Sequence, residues 1–359
     1  MAAAKLAAEP ELEILSLAGE ELGRKGAQRL SRALLTHGAL RELDLACGCV
    51  GDAGMAYIAG ALQRNSTLEA VSLRNNSIGA DGCAALAEAL LSANGSPLTE
   101  LNLSHNPLAD GGIRAIAKVL RGGGAGLLDL DLSSARSVSE DAWVDFGSAL
   151  ADCRLTSLKL RQNPAIGDLA AEAFAQSLAS GGSLLQLDVS FCSLRGGCAR
   201  LLGAAASLRQ LRLFGNVAGL ETIEALGQAG EQGAHLEDLD LSRCQLGEGA
   251  CPSLAAALRR GSSADAALRE LHLDRNDLGA QGIVTLAEAL GAESQLRALT
   301  LRENRCGDMG AGAIAKALGR NRSLKELDLA GNEVLSSFFS STSCSKMSKL
   351  MQPAWRRSA

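Results

Sequence analysis

Aromatic side chains are nearly missing from this chain: two Trp, one Tyr and six Phe make up 3% of 359 residues. Yet 47% of the sequence is hydrophobic, so its core must be filled in thin layers by Leu and Ala rather than around large rings. Long apolar runs are missing too. No stretch of about 18 apolar residues occurs, and no transmembrane helix is expected. A secretory leader is not apparent: residues 1–17 carry Glu9, Glu11 and Glu13 where a basic-then-apolar order would stand. The ten cysteines are scattered rather than paired at disulfide or metal spacings, which agrees with an intracellular, cytoplasmic chain. Asn65-Ser66-Thr67 and Asn94-Gly95-Ser96 match glycosylation sequons and, without a leader, are read as chance. A strong charge of either sign is absent as well. The net charge of −5 is modest and spread out, so neither nucleic acid nor a membrane surface is expected as a partner.

What the chain has is repetition. A pattern L-x-x-L-x-L-x-x-N/C-x-L opens at Leu12, Leu40, Leu68, Leu98, Leu127, Leu155, Leu184, Leu208, Leu236, Leu268, Leu296 and Leu324. These twelve repeats have a mean spacing of (324 − 12)/11, or about 28 residues, a period that marks a solenoid. A stack grows in one dimension, so the length does not require several globular cores. The organisation expected is an N-terminal cap or helix remnant over 1–11, the array over 12–334, and a Ser-rich basic tail over 335–359 expected to be disordered. Two alternatives stay open at that end: the tail folds over the last repeat through Phe338, Phe339 and Leu350, or the chain is a slice of a larger array.

Each repeat has two halves with different periods. The x-L-x-L-x segment alternates polar and apolar, as a strand with one buried face does. The second half places Gly82, Leu86 and Leu90, or Gly282, Leu286 and Leu290, four residues apart among alanines, which reads as a helix with one apolar stripe. The recurrent Gly suits a close approach of helix to strand. Asn76, Asn106, Asn163, Asn216, Asn276, Asn304 and Asn332 close their strands, with Cys192 and Cys244 in two repeats. A buried amide there can satisfy the turn of its neighbour, forming a ladder. The ladder is broken at Glu20, Gly48 and Ala135. Further irregularities fall between Gly122 and Asp265. The repeats at Leu127 and Leu155 carry an extra residue before Val138 and Ile166, the repeat at Leu184 is short, and Gly261–Asp265 lengthens another. An array tolerates such insertions, although long loops are also where function sits.

This repeat, followed by G-x-x-x-L-x-x-x-L, resembles the ribonuclease-inhibitor class of leucine-rich repeats over Leu12 to Val334. That class includes ribonuclease inhibitor, the sensor arrays of NOD-like receptors and the Ran GTPase-activating proteins. The resemblance implies an α/β horseshoe solenoid with parallel strands on the concave face and helices on the convex face. It says little of function, because one fold hosts many activities. No G-x-x-x-x-G-K-[ST] phosphate loop occurs, so a NOD-like chain would be the sensing part alone. The basic tail, where Ran GTPase-activating proteins carry an acidic stretch, counts against that assignment. Ribonuclease inhibitor is richer in Cys and more acidic than this chain.

No catalytic constellation is apparent, and neither enzymatic activity nor a cofactor, metal or small-molecule substrate is expected. His37, His105, His235 and His272 lie in different repeats. Strand alternation would turn Glu270, His272 and Asp274 to one face, where a solvated polar strand is a better reading than a metal or acid–base site. Cys47-Gly48-Cys49 has the wrong spacing for a redox pair, and Gly122–Gly126 leads into a strand rather than a helix N-terminus. Trp143 and Phe146 are expected to fill the core.

The remaining function is binding. The concave positions read acidic first (Glu42, Asp44, Glu100, Asp129, Asp131), and basic and acidic groups alternate beyond. The candidate partner-binding residues are Lys159, Arg161, Phe191, Arg212, Phe214, Asp238 and Asp240, since aromatics beside Arg dominate interface hot spots. Phe191 and Phe214 could equally pack on each other. The function expected is a non-catalytic intracellular protein-interaction module, scaffold or sensor, binding a protein partner on its concave face. A Ran-type GTPase-activating protein is the alternative. A protein inhibitor of a basic enzyme, docking on Glu42, Asp44, Asp129 and Asp131, is the third reading.

Overall fold

The structure, a computed structural model, describes residues 2–92, 97–123, 126–151, 153–231, 234–260, 268–291 and 294–335. The lengthened loop at Gly261–Asp265, the tail beyond 335, the center of the Gly122–Gly126 run and the sequon at Asn94 therefore lie outside the described residues. The chain divides into two compact units, Met1–Asp188 and Val189–Ala359.

Unit 1 contains strands β1 (Ile14–Ser16), β2 (Glu42–Asp44), β3 (Ala70–Ser72), β4 (Glu100–Asn102), β5 (Asp129–Asp131), β6 (Ser157–Lys159) and β7 (Gln186–Asp188). They pair in parallel, each with the next, and the register joins equal positions of successive repeats, as in Glu100↔Asp129 and Asp129↔Ser157. Helices α1 (Ala2–Ala8), α2 (Gly23–Leu34), α3 (Gly51–Leu62), α4 (Ala80–Ser92), α5 (Ala109–Arg121), α6 (Glu140–Ser148) and α7 (Asp168–Ala179) alternate with them. Unit 2 repeats the plan. Its strands are β8 (Gln210–Arg212), β9 (Asp238–Asp240), β10 (Glu270–His272), β11 (Ala298–Thr300) and β12 (Glu326–Asp328), again parallel and in register. Its helices are α8 (Gly197–Gly203), α9 (Leu220–Glu231), α10 (Cys251–Arg260), α11 (Gly279–Ala287) and α12 (Gly307–Leu318).

The alternation in the sequence explains the strands. The middle residue of each, such as Leu43, Leu130, Leu211 or Leu299, is buried, while its two neighbours face outward to differing degrees. Each buried leucine stabilises its layer by roughly 2 kcal/mol. Small residues let each helix close on its neighbours: a Cβ at Gly82 would stand 2.8 Å from Ile78 Cγ2, and one at Gly282 2.7 Å from Sγ of Cys251, at the start of the adjacent helix α10. Strands sit about 4.8 Å apart and packed helices about 8–10 Å. A stack pairing one strand with one helix per layer must therefore curve within each unit, with strands on the inner side.

The Asn ladder has the expected chemistry. Asn76 Oδ1 accepts the N–H groups of Gly48 (3.0 Å) and Val50 (3.2 Å), and its Nδ2 donates to Leu45 O (2.7 Å). Asn106 does the same one repeat later for Asn76, Ile78 and Leu73. Cys244 substitutes by donating Sγ–H to Leu213 O at 3.3 Å. At Ala135, which has no amide, the extra residue takes the backbone part of the role, as Asn76 O and Asn304 O do in regular repeats: the Arg136 N–H donates to Asn106 O, and Arg136 O accepts from Ala109 N–H, both at 3.1 Å. A second ladder runs along the return turns. Asn65 and Asn321 donate to Leu34 O and Leu290 O, and His37 fills the equivalent place, with Nε2 3.0 Å from Glu9 O and Nδ1 accepting from Leu40 N–H. His37 is thus a turn support. Trp143, Phe146 and Phe174 form a buried edge-to-face chain, with centroids 5.7 and 6.5 Å apart, as expected of core residues.

Candidate functional site

The expected recognition face is made by the outward positions of the three-residue strands and the turns that follow them. In unit 1 these form a groove of about 260 Å³ lined by five carboxylates (Glu42, Asp44, Glu100, Asp129, Asp131) and a single cation, Lys159. Lys159 is already engaged, its Nζ lying 3.0 Å from Asp129 Oδ2. Arg161 leans on Asp188 at 3.8 Å. Both cations are about half exposed, and such pairs contribute at most about 1 kcal/mol. They orient the face more than they stabilise it.

In unit 2 Phe191 and Phe214 pack edge to face, centroids 5.0 Å apart, with the Phe191 N–H donating to Phe214 O at 2.8 Å. Both rings stay half-buried, and the Arg243 guanidinium lies 5.8 Å from the Phe214 centroid. Phe191 adopts φ 56°, which turns the chain at the strand end. Arg212 approaches Asp238 Oδ2 at 3.5 Å, and Gln210 Nε2 donates to the same oxygen. Asp240 instead folds its own turn, with Oδ1 accepting the Ser242 N–H at 2.9 Å. Of the seven candidates, the structure joins Phe191 with Phe214 and Arg212 with Asp238. Lys159 and Arg161 pair with carboxylates of unit 1, and Asp240 serves the backbone.

Sequence alternation grouped His272 with Glu270 and Asp274. The structure gathers Asp238, Glu270 and His272, whose donor atoms lie within 4.8 Å of one another. The register explains it, because Glu270 and Asp238 are direct cross-strand neighbours. His272 Nε2 is 3.5 Å from Asp238 Oδ1, and its Nδ1 is 3.3 Å from Thr300 Oγ1. These three residues are the described group that could hold a metal ion, and exposed acidic groups are common without one. Asp274 lies beyond the strand, with Oδ1 accepting the Arg302 N–H at 2.8 Å. Burial raises its pKa above the usual carboxylate range, against hydrogen bonds from Thr300 and Arg302 that lower it.

Two features escaped the sequence reading. Arg243 caps the Phe pair from the turn after β9, a contact only the stacking reveals. Along the entry to the unit 2 strands, Arg209, Glu237, Arg269, Arg297 and Lys325 are linked N–H to O in one row, four cations to one acid. Aligning the repeats by their first leucine would have disclosed that row. Burial disfavours the thiolate at four of the buried cysteines, pushing Cys83 and Cys244 up to about 12, and Cys251 and Cys306 to about 11. Among the described residues, no helix is long and apolar enough to cross a membrane.

Comparison with known proteins agrees with this architecture. A Leucine Rich repeat family model matches residues 40–59, 64–87, 96–117, 152–175, 267–287 and 320–336. Ribonuclease inhibitor of Sus scrofa is 30% identical over 288 residues, 78% of this chain and 61% of that protein. NACHT, LRR and PYD domains-containing protein 3 of Bos taurus is 31% identical over 259 residues, 70% of this chain and 24% of that protein. The chain thus spans 61% of the first of these relatives and about a quarter of the second. Among solved structures, the yeast Rad7 and Elc1 complex aligns with a TM-score of 0.56 at 19% identity, covering 97% of this chain and 82% of that one. That likeness concerns the fold alone. The α/β leucine-rich-repeat solenoid expected from the sequence is the fold observed.

Proposed function

Because the chain belongs to the leucine-rich-repeat family, whose repeats serve protein interaction, we propose that it is a non-catalytic scaffold or sensor that binds a protein partner on its strand faces. The observation that carries this reading is the Phe191–Phe214 pair, kept half-exposed beside Arg243. In a chain this poor in aromatics, two rings at neighbouring strand ends make an anchor, and aromatic residues, Phe among them, and Arg are enriched in protein interfaces. The face is preformed by the strand register and by Arg212–Asp238, so binding orders few side chains. The reading includes a cytoplasmic location, a cap over 1–11, an array over 12–334 and a tail over 335–359.

A second reading has its own observation. The unit 1 groove presents five carboxylates and one paired lysine, which supports a partner with a basic surface, and the chain would then inhibit a basic enzyme by covering it. Affinity capture from the native lysate tests the first reading, comparing the wild-type chain with a Phe191→Ala/Arg212→Ala/Phe214→Ala variant checked for folding. A protein retained by the wild type and lost by the variant is the expected result. Capture of the same set by both chains refutes the anchor. Release of that protein by moderate salt alone would favor the second reading.

A further inference from the structure

The irregular repeat of unit 1 does something the regular ones do not. Where the ladder needs Asn it has Ala135, and the extra residue Arg136 takes over the backbone pairing. Loss of the amide side chain and the lengthened turn leave a groove of about 490 Å³ between the turns at Ser134–Val138 and Gln162–Ala165. That volume is within the roughly 300–1,000 Å³ of small-molecule sites.

Its polar lining is made of donors. Arg136 is exposed and makes no ion pair among the described residues. Ser134 Oγ donates to Gln162 Oε1 at 2.9 Å, which fixes the amide and leaves its Nε2 donors uncommitted. His105 and the Ser137 hydroxyl stand at the rim, and no lining residue is acidic, in a chain of net charge −5. The nearby Asp110 is occupied by the Ser139 N–H (2.6 Å) and hydroxyl (2.7 Å) and by Arg114. Trp143 forms part of the wall. It is fully buried, and its Nε1–H finds no acceptor in the protein. Ala135, Val138 and Pro164 supply the apolar part of the lining.

We propose that this groove is a binding site for a carboxylate of amino-acid to dipeptide size, held by the Arg136 guanidinium and the Gln162 amide. A guanidinium fork matches a carboxylate bidentately, which a lysine would not. The carboxylate can belong to a free small acid or to an acidic side chain of a peptide. The site stands apart from the strand faces, and its test does not depend on the protein partner.

Calorimetry on the full chain with N-acetylglutamate, with the capped peptide acetyl-Ala-Glu-Ala-amide, and with its neutral counterpart acetyl-Ala-Gln-Ala-amide separates the sources. Saturable binding of either acid and none of the neutral peptide is expected, and the better acid identifies the source. Arg136→Ala and Gln162→Leu should each weaken binding about tenfold while leaving the melting temperature in place. In a Trp355→Phe chain Trp143 is the remaining indole, and its emission should shift on saturation. No saturation by either acid, equal binding of the neutral peptide, or binding that survives Arg136→Ala would each overturn the site.

Discussion

In unit 1 the outward strand positions carry Glu42, Asp44, Glu100, Asp129 and Asp131 against one lysine that is already paired. In unit 2 the same positions carry five acids as well, Asp238, Asp240, Glu270, Glu326 and Asp328, but two of them are paired with arginine. Arg212 lies on Asp238 and Arg302, just past β11, on Asp328, with His272 also beside Asp238 and a Phe pair at the strand ends. The buried residues hardly differ between the units: leucine in the strand middle, a ladder of Asn or Cys after it, an Ala-rich helix behind. The backbone is thus specified by the residues that are hidden, and recognition is left to those that are not. A face of largely unpaired acids acts at long range and is sensitive to salt, whereas pairing of some acids with arginine leaves the rings a larger share of affinity.

The sharpest break in this comparison concerns the shared ladder. Asn106→Ala removes the acceptor of two backbone amides and a donor to Leu73 O, all buried, and should cost about 3 kcal/mol or more in urea unfolding. Ala135→Asn should bring little or no gain, since Arg136 already pairs with the neighbouring turn. A gain equal to the loss at Asn106 would mean the extra residue is no replacement. Next in size is the contrast in charge. Asp131→Lys in unit 1 should slow association with a basic partner about tenfold at low ionic strength and far less in high salt, as stopped-flow rates would report. Asp240→Lys in unit 2 should change the rate less, because Arg212 and Arg302 already pair with two acids of that face. Phe214→Ala should cost about 1 kcal/mol of stability through the lost ring contact, and a larger share of partner affinity.

The smallest effect expected is one of pH. Burial raises the Asp274 pKa above its ordinary value of 3.8, so between the two values the folded state holds more protons than the unfolded one. Stability from this group is therefore present at low pH and lost as pH rises through the folded value. Asp274→Asn should remove that loss, giving a higher melting temperature near neutrality and no change at the acid end. A variant less stable at neutral pH would show that the carboxylate is needed there.

Most of the backbone was legible in the sequence because each leucine has one place to go and the spacing repeats. Trp143 and Phe146 were legible as core for the same reason. The side-chain partners were less so. His272 was grouped with Asp274 by alternation along its own strand, but strands of three residues end before Asp274, and the neighbour that matters is Asp238 on the adjacent strand. Arg243 on Phe214 depends on how a turn folds back after β9, which no period encodes. The groove beside Arg136 arises from two irregularities, a missing amide and an extra residue, whose combined volume is not written in either alone.

The central claim is that the strand face, and not the helical face, receives the protein partner. Hydroxyl-radical footprinting of the chain with and without its captured partner addresses it directly, because both faces carry reactive side chains. Phe191 and Phe214 mark the strand ends, and Met309, 54% exposed at the start of α12, marks the helical side. The account predicts that the partner shields the two Phe and leaves Met309 as reactive as before. Shielding of Met309 with unchanged Phe oxidation would contradict it.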